Sequence, residues 1–177
     1  MAVLEVVKYP DPVLSATSDE VEVVDDETRQ LMEDMLETMY SAPGVGLAAP
    51  QVGVNRRIIV IDIRPDDKKA PIMLVNPEIV EGDGKITYEE GCLSLPEFTA
   101  EIERMNEVTV KGTSEKGDEV TYEAEGLLAV VFQHEIDHLN GILLVDKVSR
   151  LKRDIYRRKM KKGLKEAARD ESKRDVL

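Results

Sequence analysis

Apolar residues follow two different rhythms along this chain. Leu31, Met35 and Met39 recur every fourth residue, with Met32 and Leu36 beside them, which makes one stripe of helical period. Asp25, Asp26 and Glu27 open that stretch, where carboxylates suit the positive end of a helix dipole. The spacing predicts a helix over 25–40 whose methionines pack into a core. Pro43-Gly44-Val45-Gly46 ends it. Short β-type runs follow at 57–63, 72–75, 85–89, 108–111 and 119–124, divided by turn clusters such as Gly82-Asp83-Gly84 and Gly117-Asp118. Several alternate apolar with polar residues, as in an antiparallel sheet with one wet face. Upstream, the two prolines of Tyr9-Pro10-Asp11-Pro12 forbid a helix and call for an extended or turning chain.

Residues 126–140 break this rhythm. Leu127 to Phe132 is an unbroken apolar run that leads into His134-Glu135-Ile136-Asp137-His138, with Gly126 placed to start a helix and Gly141 to stop it. A helix apolar on nearly every side is a buried one. A last, charged helix is predicted over 148–169. Strands lying mostly ahead of a central buried helix define an α+β fold, with antiparallel or mixed sheets around that helix, an N-terminal helix and a charged C-terminal helix.

Length and composition narrow the class. The chain has 177 residues, 42% apolar, enough for one domain with a genuine core. We read 1–148 as that domain and 149–177 as a basic helix and tail on it. Cys92 is the lone cysteine, which excludes a disulfide scaffold, and no apolar run approaches the ~20 residues of a membrane span. The N-terminal stretch lacks the basic start of a signal peptide. These features predict a soluble, cytoplasmic protein. The net charge of −12 hides a division: residues 150–177 hold twelve Lys/Arg against five Asp/Glu, while the remainder is strongly acidic. An acidic body repels nucleic acid, and a basic tail can meet a polyanion locally or simply be a solvated helix face.

The chemistry lies in three short stretches. His134 and His138 are four residues apart on the buried helix, so both rings share one face and can place two nitrogens on one metal ion. Glu135 lies beside them, where a carboxylate can take a proton from water. They are the only histidines in the chain, and unpartnered imidazoles in a core would each leave a polar nitrogen unsatisfied, at about 1–3 kcal/mol. A catalytic site of this type needs a third protein ligand and an open fourth position. Leu144 stands where a metzincin has its third histidine, and a thermolysin-like carboxylate would have to come from Asp154 or Glu166 in the charged tail. Cys92, in Glu90-Gly91-Cys92-Leu93-Ser94-Leu95-Pro96, is the remaining candidate. Alone it reads as an inert buried cysteine; beside two histidines short of one ligand it reads as a thiolate ligand. In Gly44-Val45-Gly46-Leu47-Ala48-Ala49-Pro50-Gln51 the glycines permit close backbone approach, and Gln51 offers an uncharged amide donor for a developing oxyanion.

Together the three stretches resemble the three signature motifs of peptide deformylase, in order and over nearly the whole chain. The resemblance implies that Cys92, His134 and His138 bind one divalent metal, Fe²⁺ in the native family, with water as fourth ligand; such a donor set also accepts Zn, Ni or Co. Glu135 would be the general base on that water and return the proton to the leaving amine, while Gln51 and the Leu93 N–H hold the formyl oxygen. The substrate implied is the N-formyl group of formyl-methionine on newly made polypeptides, released as formate. Val45, Gly46 and Gly91 would pair with an extended peptide, and Leu127, Val130 and Val131, with Glu90, would frame the pocket for its first side chain. The basic tail would dock near the ribosomal exit tunnel, with no membrane contact, no sequence-specific nucleic acid and a monomeric chain. One departure is Glu97-Phe98-Thr99, where many members place a basic residue. Independently of the family, Asp137 in a buried helix needs a cation, and Arg104 is expected to supply it. Two rivals remain at this point: a zincin-type peptidase, which would tolerate loss of Cys92, and a non-enzymatic ribosomal binding module.

Overall fold

A computed structural model describes residues 2–174. An extended N-terminal segment leads to the α1 helix Asp26–Ser41, the short β1 strand Gly46–Ala48, a 3-10 turn at Ala49–Val52 and the β2 strand Ile58–Ile61. The β3 strand Ile72–Asp83, β4 Ile86–Cys92, β5 Leu95–Arg104, β6 Glu107–Ser114 and β7 Glu119–Glu125 come next, followed by the α2 helix Leu127–Leu139 and the α3 helix Arg150–Arg174. One five-stranded antiparallel sheet has the order β1-β2-β3-β6-β7, and β4 and β5 form a separate two-stranded ribbon.

The α1 and α2 helices cover the two faces of this sheet. Successive side chains of a strand face opposite ways, so Ile59 and Ile61 of β2 join Phe132, Ile136 and Leu139 of α2, while Ile58 and Val60 join Met32, Met35 and Met39 of α1. The unbroken run Ile58-Ile59-Val60-Ile61 is therefore the signature of a strand buried on both faces. The methionine stripe is core, with Met32, Met35 and Met39 fully buried. Asp25 caps α1 by accepting from the Thr28 N–H at 2.8 Å. A third cluster joins β5, Leu143 to Val145, the N-terminal segment and Tyr156 of α3, whose ring lies 4.9 Å from that of Phe98.

The helices agree with the sequence reading to within a residue or two, except that α3 starts at Arg150 and runs five residues beyond position 169. The strands differ more. β3 continues past Val75 because Asn76, at φ +52°, accepts from the Val21 N–H and donates to the Val21 carbonyl, carrying the chain through a register shift before Pro77. β1 and β5 went unread: β1 has only three residues, and Pro96 obscured a strand whose alternation of buried Phe98, Ala100 and Ile102 with exposed Glu101 and Glu103 is otherwise plain.

Candidate metal centre

Gly126 is the N-cap of α2, and the helix stops before Gly141, where the Gly141 and Ile142 N–H groups bond the carbonyls of His138 and Asp137. Gly141 sits at φ +71°, and a Cβ there would lie 2.5 Å from the Ser15 carbonyl oxygen. That stop holds the helix with His134 and His138 facing the β4–β5 turn, which carries Cys92. His138 Nε2 lies 3.2 Å from His134 Nε2 and 3.3 Å from Cys92 Sγ, and the three donors converge within 4.8 Å of one another.

These spacings fit a single cation. Bonds of about 2.0–2.1 Å to nitrogen and 2.3 Å to sulfur in a tetrahedron give N···N edges of about 3.3 Å and S···N edges of about 3.5 Å. Tautomer chemistry agrees. Glu90 Oε1 is 2.9 Å from His134 Nδ1, and a carboxylate can only accept, so Nδ1 carries the proton and Nε2 presents its lone pair to the centre. Burial disfavours a charge on His134, yet Cys92, Glu90 and Glu135 outweigh it and push the imidazole up to about 10: the pocket draws positive charge to this spot. Burial holds His138 neutral, its pKa well below the ordinary value, helped by the charges of His134 and Arg104. Among the described residues, Cys92, His134 and His138 are the set able to hold a metal.

The supporting contacts run outward from His134. Glu90 accepts from Arg104 Nε and Nη2, both at 2.9 Å, and Arg104 Nη1 donates to Asp137 at 2.6 Å, with Lys147 a further 3.4 Å from Asp137. The expected Asp137–Arg104 pair is present. Glu90, read from sequence only as a pocket wall, also orients the metal-facing histidine and shares the same guanidinium. Burial raises the Glu90 carboxyl, but His134 and Arg104 bring it below its ordinary value, so it stays ionised.

Glu135 stands over the donor set, with Oε1 4.0 Å from His134 Nε2 and Oε2 buried without a hydrogen-bond partner among the described residues. Burial pushes its carboxyl up to about 7 against the lowering charges of His134 and Arg104, the range in which a base at neutral pH works best. Gly46 packs directly on it: a Cβ there would lie 2.5 Å from Glu135 Oε1. Gln51 is aimed inward. Its Oε1 accepts from the Ala48 N–H at 2.9 Å, and Nε2 faces Ser94 Oγ at 3.2 Å and Cys92 Sγ at 3.5 Å. A cleft of about 570 Å³ opens onto this centre. Val45, Gly46, Gln51, Glu90, Gly91, Cys92, Leu93, Leu127, Val130, Val131, His134 and Glu135 all line it; of the sequence-predicted site residues, the buried His138 alone is not part of the lining. Sequence reasoning missed Lys8, Tyr88 and Phe98 in its walls, and Ser94 as the partner of Gln51.

A convergent Cys/His/His donor set, a buried carboxylate beside it and an open cleft define a metal-dependent hydrolase. The sequence profile of the polypeptide deformylase family matches residues 3–154. A peptide deformylase from Thermodesulfovibrio yellowstonii is 51% identical over 91% of this chain and 98% of its own length. Among solved structures, a peptide deformylase from Legionella pneumophila superposes with a TM-score of 0.87 at 47% identity, covering 95% of this chain and 99% of that one. One from Ehrlichia chaffeensis, crystallised with actinonin, reaches 0.88 at 42% identity over 92% and 98%. The chain belongs to the polypeptide deformylase family.

Proposed function

We propose that the protein removes the N-formyl group from formyl-methionine at the start of newly synthesised polypeptides, releasing formate. The observation that carries this reading is the convergence of Cys92 Sγ, His134 Nε2 and His138 Nε2 at the head of a cleft beside a buried carboxylate of raised pKa. Cys92, His134 and His138 hold one divalent cation, ferrous iron in the cell. When bound, that cation supplies the Lewis acidity that lets water lose a proton near neutral pH.

The remaining work belongs to the chain. Glu135 takes the proton of the attacking water and delivers it to the departing amine; its dry surroundings keep its basicity matched to both tasks. Gln51 Nε2 and the Leu93 N–H donate to the formyl oxygen as it becomes anionic. β1 is an edge strand and the Val45 carbonyl is taken by the Asp62 N–H, so Gly46 turns its main-chain groups to the open edge, where an extended peptide pairs along Val45 and Gly46 with Gly91 on the facing wall. Leu127, Val130 and Val131 offer an apolar wall to the first side chain, and Glu90 keeps His134 turned toward the cation. Formyl carries only hydrogen on its carbonyl carbon, so a narrow floor admits it and refuses bulkier acyl groups.

Among the described residues no helix is long and apolar enough to cross a membrane. The reading extends to a cytoplasmic monomer whose basic α3 helix docks at the ribosome near the exit tunnel. Removal of residues 150–177 then weakens cosedimentation with ribosomes in a salt-dependent way. The decisive experiment is anaerobic: formate release from a formyl-Met peptide, with metal content measured on the same sample. Stoichiometric iron without formate release overturns the reading, as does full activity in Cys92→Ala.

A further inference from the structure

The N-terminal segment reaches the mouth of the site, where its donors bond both loops beside the donor set. Its start is tied to α1, the Ala2 N–H bonding Asp34 Oδ1 at 2.7 Å and the Leu4 N–H bonding Thr38 Oγ1 at 2.8 Å. Three consecutive residues then reach three carbonyls on the two loops that flank the metal centre. The Val7 N–H bonds the Gln51 carbonyl at 2.7 Å, Lys8 Nζ bonds the Leu93 carbonyl at 2.7 Å, and the Tyr9 N–H bonds the Ser94 carbonyl at 2.8 Å. Gln51 and Ser94 also meet directly, through Nε2 and Oγ. Lys8 is the one lysine or arginine among the residues lining the cleft.

We propose that residues 7–9 are a positioning strap that sets the separation of Gln51 and Leu93, with Lys8 as the side chain through which it acts on Leu93. This rests on reading Gln51 and the Leu93 N–H as the donors to the formyl oxygen. Such donors work only when fixed where charge develops, and a small misplacement is costly. Each carbonyl gripped by the strap belongs to one of those two residues or to the serine that touches Gln51, so the strap constrains the loops from outside the reacting volume. Lys8 touches neither the donor set nor Glu135, and its exposed side chain leaves no cavity when shortened.

Metal-loaded Lys8→Met and Lys8→Arg are compared with the parent by amide hydrogen exchange and by steady-state kinetics. In Lys8→Met, exchange at residues 92–95 quickens about tenfold while the protein elsewhere is unchanged, kcat falls about threefold and KM holds within about twofold. Lys8→Arg, which keeps a cationic donor, restores both. Unchanged exchange overturns the strap. Faster exchange with unchanged kcat overturns its role in positioning, and a change confined to KM shows Lys8 contacting substrate instead. Exchange needs no turnover, so a parent protein that releases no formate defeats the functional reading while the strap is still judged by the exchange comparison.

Discussion

The α2 and α3 helices both carry ionisable residues, and in opposite circumstances. On α2, His134, Glu135, Asp137 and His138 lie in an apolar helix against the sheet, and His134 and Asp137 are bonded into a chain that runs through Glu90 and Arg104 to Lys147. On α3, Tyr156 is buried while Leu151 and Ile155 stand in solvent, and the cations make open pairs such as Lys159 with Glu97. Charge count therefore says little about consequence. A group matters to the extent that water is absent and its partners are fixed. Substitutions of equal size should have very unequal effects on the two helices.

The largest effect is expected at Glu135. Glu135→Gln keeps the shape and removes the proposed base, so kcat is expected to fall by about 10²–10⁴ with metal content unchanged. Equal turnover in that variant would mean that this buried carboxylate is only structural. Arg104→Ala comes next. It strands the carboxylates of Glu90 and Asp137, and losing one partner of a buried ion pair costs about 3–5 kcal/mol. Melting should drop by on the order of 10 °C, with weaker metal retention as His134 loses its fixed orientation. An unchanged melting temperature and metal content would argue that water reaches this chain of charges. Gly46→Ala is smaller and more local. Its methyl group displaces the Glu135 carboxylate, so kcat falls about tenfold while metal and melting stay close to the parent values.

How much of this was legible beforehand follows the same division. The periodicity of α1 and the apolar run of α2 are local facts, and both helices sit where the pattern puts them. The four-residue spacing of the histidines and the single cysteine pointed to the donor set before any geometry, because so few residues of those types exist. Arg104 was reachable by charge balance, since Asp137 inside an apolar run demands a cation. Glu90 was not. Its place beside Arg104 depends on β4 and β5 pairing as a ribbon, in which Glu90 is opposite Ala100 and Arg104 opposite Ile86, so that both lie on one face within side-chain reach, and β5 itself is hidden in the sequence by Pro96. The strap was invisible for the same reason: two of its three donors are main-chain N–H groups, which carry no residue identity.

The smallest expected effect sits on α3 and tests the other half of the comparison. Lys159 Nζ lies 2.9 Å from Glu97 Oε2, as close as either Arg104–Glu90 contact, yet both side chains are more than half exposed. Its ammonium lowers the Glu97 carboxyl below the ordinary value, so Glu97 is ionised throughout the neutral range and the pair exists as drawn. Proximity without dryness should still yield little, because water and salt compete for each charge. Lys159→Ala is expected to move melting by no more than about 2 °C in low salt, and the shift should vanish near 1 M salt, where the screening length falls to about 3 Å. A salt-resistant loss comparable to that of Arg104→Ala would mean that α3 is held to β5 more tightly than its exposure implies, and burial would no longer explain why the two helices differ.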